Sequence, residues 1–367
     1  MGENIGGICK PFSNASNTTF CNTPNQTEST LINVPYDQTF GLVASILFGG
    51  FIVASLIGNT LVASTILQHN HMKTACNYFI MNIAFADIGV GAIAAPLRIL
   101  EIFLSWPFKD FMCRFLWPFQ DVFVCVSVLT HTIISLERYR AIVMPFKAKI
   151  SLRRSKIVIV AIWLGCYCAS GIPQSLLLQV IDYGGWKRCA IRWPSLIFRL
   201  CYIFYLVIVF IIVPLVMQTW CYVRIVRVLN QKAEFGLSTG IVSRKSNDEH
   251  KGRQKRNKRI VFMLMTSLLV FQVCYIPRGI LMLMVEFQPP EITASRTFSL
   301  VDLIFLVLYY CKHIVNPVIL FAMSSDFRKA LTASLSCSTR TEQLETLLNQ
   351  GQVTIQESPQ ETQEATV

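Results

Sequence analysis

Apolar residues along this chain fall in long, nearly unbroken runs, unlike the alternating or 3.6-residue patterns of elements that face water on one side. Seven runs can be read: Gly41–Leu67, Ala75–Leu100, Met112–Ile142, Lys156–Val180, Leu196–Val226, Arg259–Val285 and Phe298–Met323. Each is close to the ~20 residues a helix needs to cross a hydrocarbon core about 30 Å thick. A helix satisfies its backbone groups within the segment, as a bilayer demands. The predicted fold class is therefore an all-α membrane protein, a seven-transmembrane helix bundle. Loops between the runs are short, so residues 41–323 form one membrane domain flanked by tails 1–40 and 324–367.

Composition agrees: 53% of the residues are hydrophobic and only 15% charged, too apolar a balance for a water-soluble domain. The first forty residues are polar and lack the charged, apolar and small-residue regions of a cleavable signal. The first span is accordingly expected to act as its own signal anchor. Asn14, Asn17 and Asn25 each open an acceptor sequon, usable only on a lumenal and hence extracellular tail.

Charge gives an independent reading of orientation. The formal net charge is +12, and basic residues gather in two loops. One group is Arg138, Arg140, Lys147, Lys149, Arg153, Arg154 and Lys156; the other runs from Arg244 and Lys245 through Lys251, Arg253, Lys255, Arg256 and Lys258 to Arg259. The positive-inside rule puts both loops in the cytoplasm and the amino terminus outside, in agreement with the sequons. The expected location is the plasma membrane, multi-pass, with these loops touching anionic lipid headgroups rather than nucleic acid.

Of the 13 cysteines, four fall on the extracellular side, where disulfides persist. Cys113 and Cys189 are expected to tie the loop after span four over the bundle, and Cys9 and Cys21 to close a smaller loop in the tail. Cys337, just past the last span, is a palmitoylation candidate. The five histidines are scattered. No catalytic, metal or cofactor constellation is expected, and the chain does not read as an enzyme. A transporter or channel should show repeated halves or broken helices around a midplane site, and no internal repeat is visible.

Polar residues inside apolar spans are costly and mark function. They read Gly58-Asn59 in span one, Asn82 and Asp87 in span two, and Ser127 with Glu137-Arg138-Tyr139 in span three. Spans four to seven carry Trp163, then Pro214 with Tyr222, then Phe271 with Cys274-Tyr275-Ile276-Pro277, and finally Asn316-Pro317. This series resembles the rhodopsin-like (class A) G-protein-coupled receptors from about Gly41 to Ser338, with a signature in every span. The resemblance implies that Glu137-Arg138-Tyr139 faces a heterotrimeric G protein, with Arg138 released from Glu137 on activation. Pro145 and Phe146 match an apolar docking knob. Pro214, Phe271 and Val128 match a packed relay below the ligand, and Pro214, Pro277 and Pro317 supply hinges.

Three departures from the family pattern stand out. Tyr275 occupies a place usually held by Trp, and Leu320 one usually held by Tyr, so Tyr222 has no tyrosine to meet through water. Lys312-His313 lies near Asp87, Ser127 and Asn316, where the family commonly binds sodium. The expectation is that the Lys312 ammonium replaces that ion by pairing with Asp87, because an unpaired buried charge is untenable. An opsin is excluded, since Tyr310 fills the place of the retinal-linking lysine and Lys312 lies roughly 200° around the helix from it.

Amine receptors use an aspartate where Gln120 stands, which argues against a monoamine, and peptide receptors often carry glutamine at that place, so the expected ligand is a neuropeptide. Asp121 follows, about 100° away. Arg98, Glu101, Asp121, Arg278 and Asp302 give the outer half of the bundle charges of both signs, suited to a mixed-charge ligand. Tyr275 and Tyr310 complete the candidate ligand set. Trp106-Pro107-Phe108, together with Trp186, Lys187, Arg188, Arg192 and Trp193, offers aromatic and basic contact surface. A receptor for an amine or lipid-like small molecule is the alternative. Residues 324–338 read as a short membrane-parallel amphipathic helix. Residues 339–367 read as a disordered tail, with Ser336, Ser338, Thr339, Thr341 and Thr346 as candidate sites for receptor kinases and arrestin recruitment.

Overall fold

A computed structural model describes residues 38–148, 150–183, 185–238, 244–287, 292 and 295–333. Seven helices in it are long and apolar enough to cross a membrane: Leu42–Gln68, Ala75–Leu100, Asp110–Val143, Leu152–Leu177, Leu196–Gln231, Lys258–Val285 and Leu300–Met323, here spans one to seven. Span three is the most buried and runs through the middle of the bundle; span five is the least buried.

Side-chain caps set several of the starts. Thr74, Ser151, Ser195 and Ser295 each accept a hydrogen bond from the backbone N–H three residues on, at 3.2–3.3 Å. Ser151 thereby starts span four earlier than the expected Lys156. The same span ends at Leu177, not Val180, because Leu178–Tyr183 becomes a strand, β1. It pairs antiparallel with β2, Trp186–Ile191, in the register Leu178↔Ile191 to Tyr183↔Trp186. Hydropathy extends the helix here because Leu178, Val180 and Ile181 are apolar in either conformation. The turn needs Gly185, whose φ of 96° lies in the left-handed region.

Three spans widen into a single π turn: Val90–Ala94, Tyr167–Gly171 and Ile208–Ile212. Each is followed two residues later by a proline, Pro96, Pro173 and Pro214. A proline has no N–H for the carbonyl behind it and its ring crowds that carbonyl, so the helix accommodates it by taking in an extra residue. Pro277 and Pro317 instead lie within continuous helices. After Ser324 the chain is helical again over 325–333, where Phe327 and Ala330 are buried against the bundle.

Residues 1–37 and 334–367 lie outside the described residues. So do the three sequons, Cys9, Cys21, Cys337, Lys149 and the Ser/Thr kinase candidates, together with the side chains of Glu101 and Trp186.

Candidate functional site

At the hairpin end, Cys113 and Cys189 are joined as expected, with their Cα atoms 5.5 Å apart. This bond fixes β2 to the start of span three. Further bonds hold the hairpin: Val180 N–H donates to Asp110 Oδ1 at 2.7 Å, Lys187 N–H to Ser105 Oγ at 2.8 Å, and Trp106 N–H to the Lys187 carbonyl at 2.7 Å. Trp106 is buried beneath it, edge-on to Trp117 at 5.7 Å. Of the Trp-Pro-Phe cap, Trp106 is thus packed in, while Pro107 and Phe108 remain exposed.

Inside the bundle, spans two to seven enclose a cavity of about 160 Å³. Its wall brings together six of the sequence candidates: Arg98, Gln120, Asp121, Tyr275, Arg278 and Tyr310. Gln120 and Asp121 both reach it, so the 100° between them does not turn Asp121 away. The charges do not pair across it as Asp121 with Arg278. Asp121 accepts from Gln174 Nε2 at 2.6 Å, while Arg278 is bound to Asp302, one turn into span seven. Asp302 therefore meets the cavity through Arg278. The Gln120 amide nitrogen is buried with no acceptor among the described residues, an unmet donor on a residue that lines the cavity. All three π turns contribute to the wall, through Val90 and Ala94, Ser170, and Phe210, a placement that no local pattern discloses.

Below the cavity the polar core departs from the expected pairing. Asp87 Oδ1 lies 2.6 Å from His313 Nδ1, and Oδ2 accepts from Asn316 Nδ2 at 3.1 Å; Ser127 Oγ is 3.4 Å from Oδ1. Lys312 is not the partner of Asp87. Its Nζ has no hydrogen-bond acceptor among the described residues and lies over three rings, 4.1 Å from Tyr309, 4.3 Å from Tyr275 and 4.9 Å from Phe271. The reason is helical geometry: consecutive residues diverge by about 100°, so only one of the pair can face span two.

Thr130, Thr132, Gln218, Ser267 and Gln272, which sequence reasoning did not single out, complete the core with Asn82, Trp163 and Asn316. Trp163 Nε1 donates to Asn82 Oδ1 and Asn82 Nδ2 to Thr130 Oγ1, both at 2.8 Å. Gln272 donates to Gln218 and Gln218 to Thr132, again at 2.8 Å, linking spans six, five and three. Ser267 Oγ donates to Asn316 Oδ1 at 2.7 Å. Their signal was present, since each is a polar residue in an apolar run, but the partners are far apart in sequence. Of the relay residues, Val128 and Phe271 lie together in one buried cluster with Val124, and Pro214 is buried on span five.

At the far end Glu137 holds Arg138, Oε2 to Nε at 2.6 Å. Both border a cavity of about 740 Å³ that Pro145, Leu264 and Phe327 also line. Tyr139 is buried against Trp220, and Phe146 is fully exposed. Tyr222 lies buried beside Leu320 in a smaller void of about 30 Å³.

Residues 58–320 match the family described as "7 transmembrane receptor (rhodopsin family)". The chain belongs to that family. It is thus a multi-pass membrane receptor rather than an enzyme. Relatives of this rhodopsin-family chain include the QRFP-like peptide receptor of Branchiostoma floridae, 27% identical over 78% of this chain and 75% of the relative. Neuropeptide FF receptor 2 of Mus musculus is 28% identical over 75% and 68%. Neuropeptide Y receptor type 2 of Homo sapiens is 27% identical over 82% and 77%.

Proposed function

We propose that this receptor binds an extracellular peptide in the cavity beneath the β1–β2 hairpin and activates a heterotrimeric G protein at the Arg138 end. The observation that carries the reading is the cavity wall. It combines Gln120, with an unanswered donor, Asp121 and the Arg278–Asp302 pair, and so offers both charge signs to one ligand. Relatives named for neuropeptides support the ligand class, and an amine receptor is disfavoured because glutamine stands at the ammonium-binding place. The receptor sits in the plasma membrane with its glycosylated tail, residues 1–40, outside. Arg138, Tyr139 and the exposed Phe146 meet the G protein in the cytoplasm, with Tyr222, Pro277 and Pro317 serving the movement that opens this end. The helix following span seven lies along the lipid surface with Cys337 palmitoylated, and the tail beyond it recruits kinases and arrestin.

A neuropeptide library screened on cells expressing the receptor, with cAMP and calcium readouts, tests this directly. Activation by a peptide is expected; activation by amines or lipids and by no peptide would overturn the ligand class.

A further inference from the structure

Lys312 is 1% exposed, and the carboxylate that could have balanced it is already held by His313 and Asn316. What surrounds its ammonium is aromatic: Tyr309, Tyr275 and Phe271, with ring centroids at 4.1, 4.3 and 4.9 Å. Ring faces carry negative potential, and enclosing a cation with several of them is how proteins recognise quaternary ammonium and methylated lysine groups. We propose that Phe271, Tyr275 and Tyr309 form an organic-ammonium site whose resident occupant is the Lys312 side chain, and that this occupancy ties span six to span seven in the resting receptor.

The placement of the walls carries the second half of the proposal. Phe271 and Tyr275 belong to span six, just before Pro277; Tyr309 and Lys312 belong to span seven, just before Pro317. The cation therefore bridges two helices between their prolines, with Pro277 on the hairpin side of the box and Pro317 on the Arg138 side, and parting the helices separates it from two of its three rings. Tyr275 and Tyr309 also line the ligand cavity, so a ligand that displaces either ring loosens the box. The filled box coexists with the Glu137–Arg138 pair at the other end. A resident cation also disfavours a ligand that brings a second ammonium to the same rings, because the two charges repel. The release step rests on the receptor reading; the occupancy of the box does not.

Two arms test the two halves separately. Lys312→Ala leaves the box short of a propylammonium. In the purified full-length variant, propylammonium is expected to raise the thermal midpoint by about 2 °C or more, and 1-propanol, equal in length and neutral, to leave it unmoved. Equal effects of amine and alcohol overturn the site. Where that variant does not fold, Phe271 is replaced by phenylalanines of increasing fluorination, which keep the shape and weaken the ring face. A stepwise fall in midpoint supports the box and a flat response overturns it. In cells, Lys312→Met at matched surface expression is expected to raise ligand-independent G-protein signalling about threefold or more. Signalling at or below that of the unaltered receptor overturns the latch, whatever the binding arm gives.

Discussion

At Asp87 a single residue's rotation decides the chemistry of the core. His313 and Lys312 adjoin in sequence, yet one supplies the hydrogen bond to the carboxylate and the other enters the aromatic box. With both carboxylate oxygens engaged and a tethered cation close by, the core has no need of a mobile ion. Agonist affinity is therefore expected to be the same in sodium and potassium buffers, read by equilibrium binding; a sodium effect abolished by Asp87→Asn would sink the idea. His313→Ala removes one of the bonds to a buried carboxylate, and a loss of about 1–3 kcal/mol is expected in thermal or denaturant unfolding. Arg278→Ala should cut agonist potency about tenfold or more with surface expression kept, whereas equal loss of both would make the Arg278–Asp302 pair structural. Asp302→Asn is the companion measurement, since it frees Arg278 without removing it.

The spans themselves were legible because hydropathy and helix length are local properties. The prolines were equally plain, but what each does to its helix was not. Pro214 follows a π turn, while Pro277 and Pro317 are carried inside continuous helices. A proline's clash can be relieved by widening, bending or repacking, and neighbouring helices choose among these. Pro214→Ala returns the missing N–H and is expected to let the π turn relax toward an α-helix. Since Phe210 in that turn lines the cavity, ligand potency should fall while the thermal midpoint holds or rises. Close approaches between elements were likewise hidden: a Cβ at Gly89 would lie 2.6 Å from the Phe123 ring, so Gly89→Ala forces that ring to move.

For the molecule as a whole, the Cys113–Cys189 bond closes a loop across 76 positions. A free loop of that length gains about 4 kcal/mol from such a bond. Here spans three and four stay anchored in the bilayer either way, so the stability gain is smaller. Cys113→Ser is expected instead to loosen the hairpin over the cavity, lowering ligand potency about tenfold while much of the receptor still reaches the surface. Dose–response curves alongside surface labelling separate the two effects.

Sequence by itself determined the seven spans, the Cys113–Cys189 pair, the receptor signatures and the charged side chains of the cavity wall, because run length, residue type and motif order are written locally. Tertiary structure decided who pairs with whom. Asp87 and His313 are 226 residues apart, and which neighbour on span seven meets span two depends on how that helix is rotated in the bundle. Span seven packs against span six through Tyr309 and Tyr275 and against span one through Tyr310, Phe48 and Phe51. The residue expected to neutralise Asp87 thus became the occupant of a box that only the folded bundle assembles.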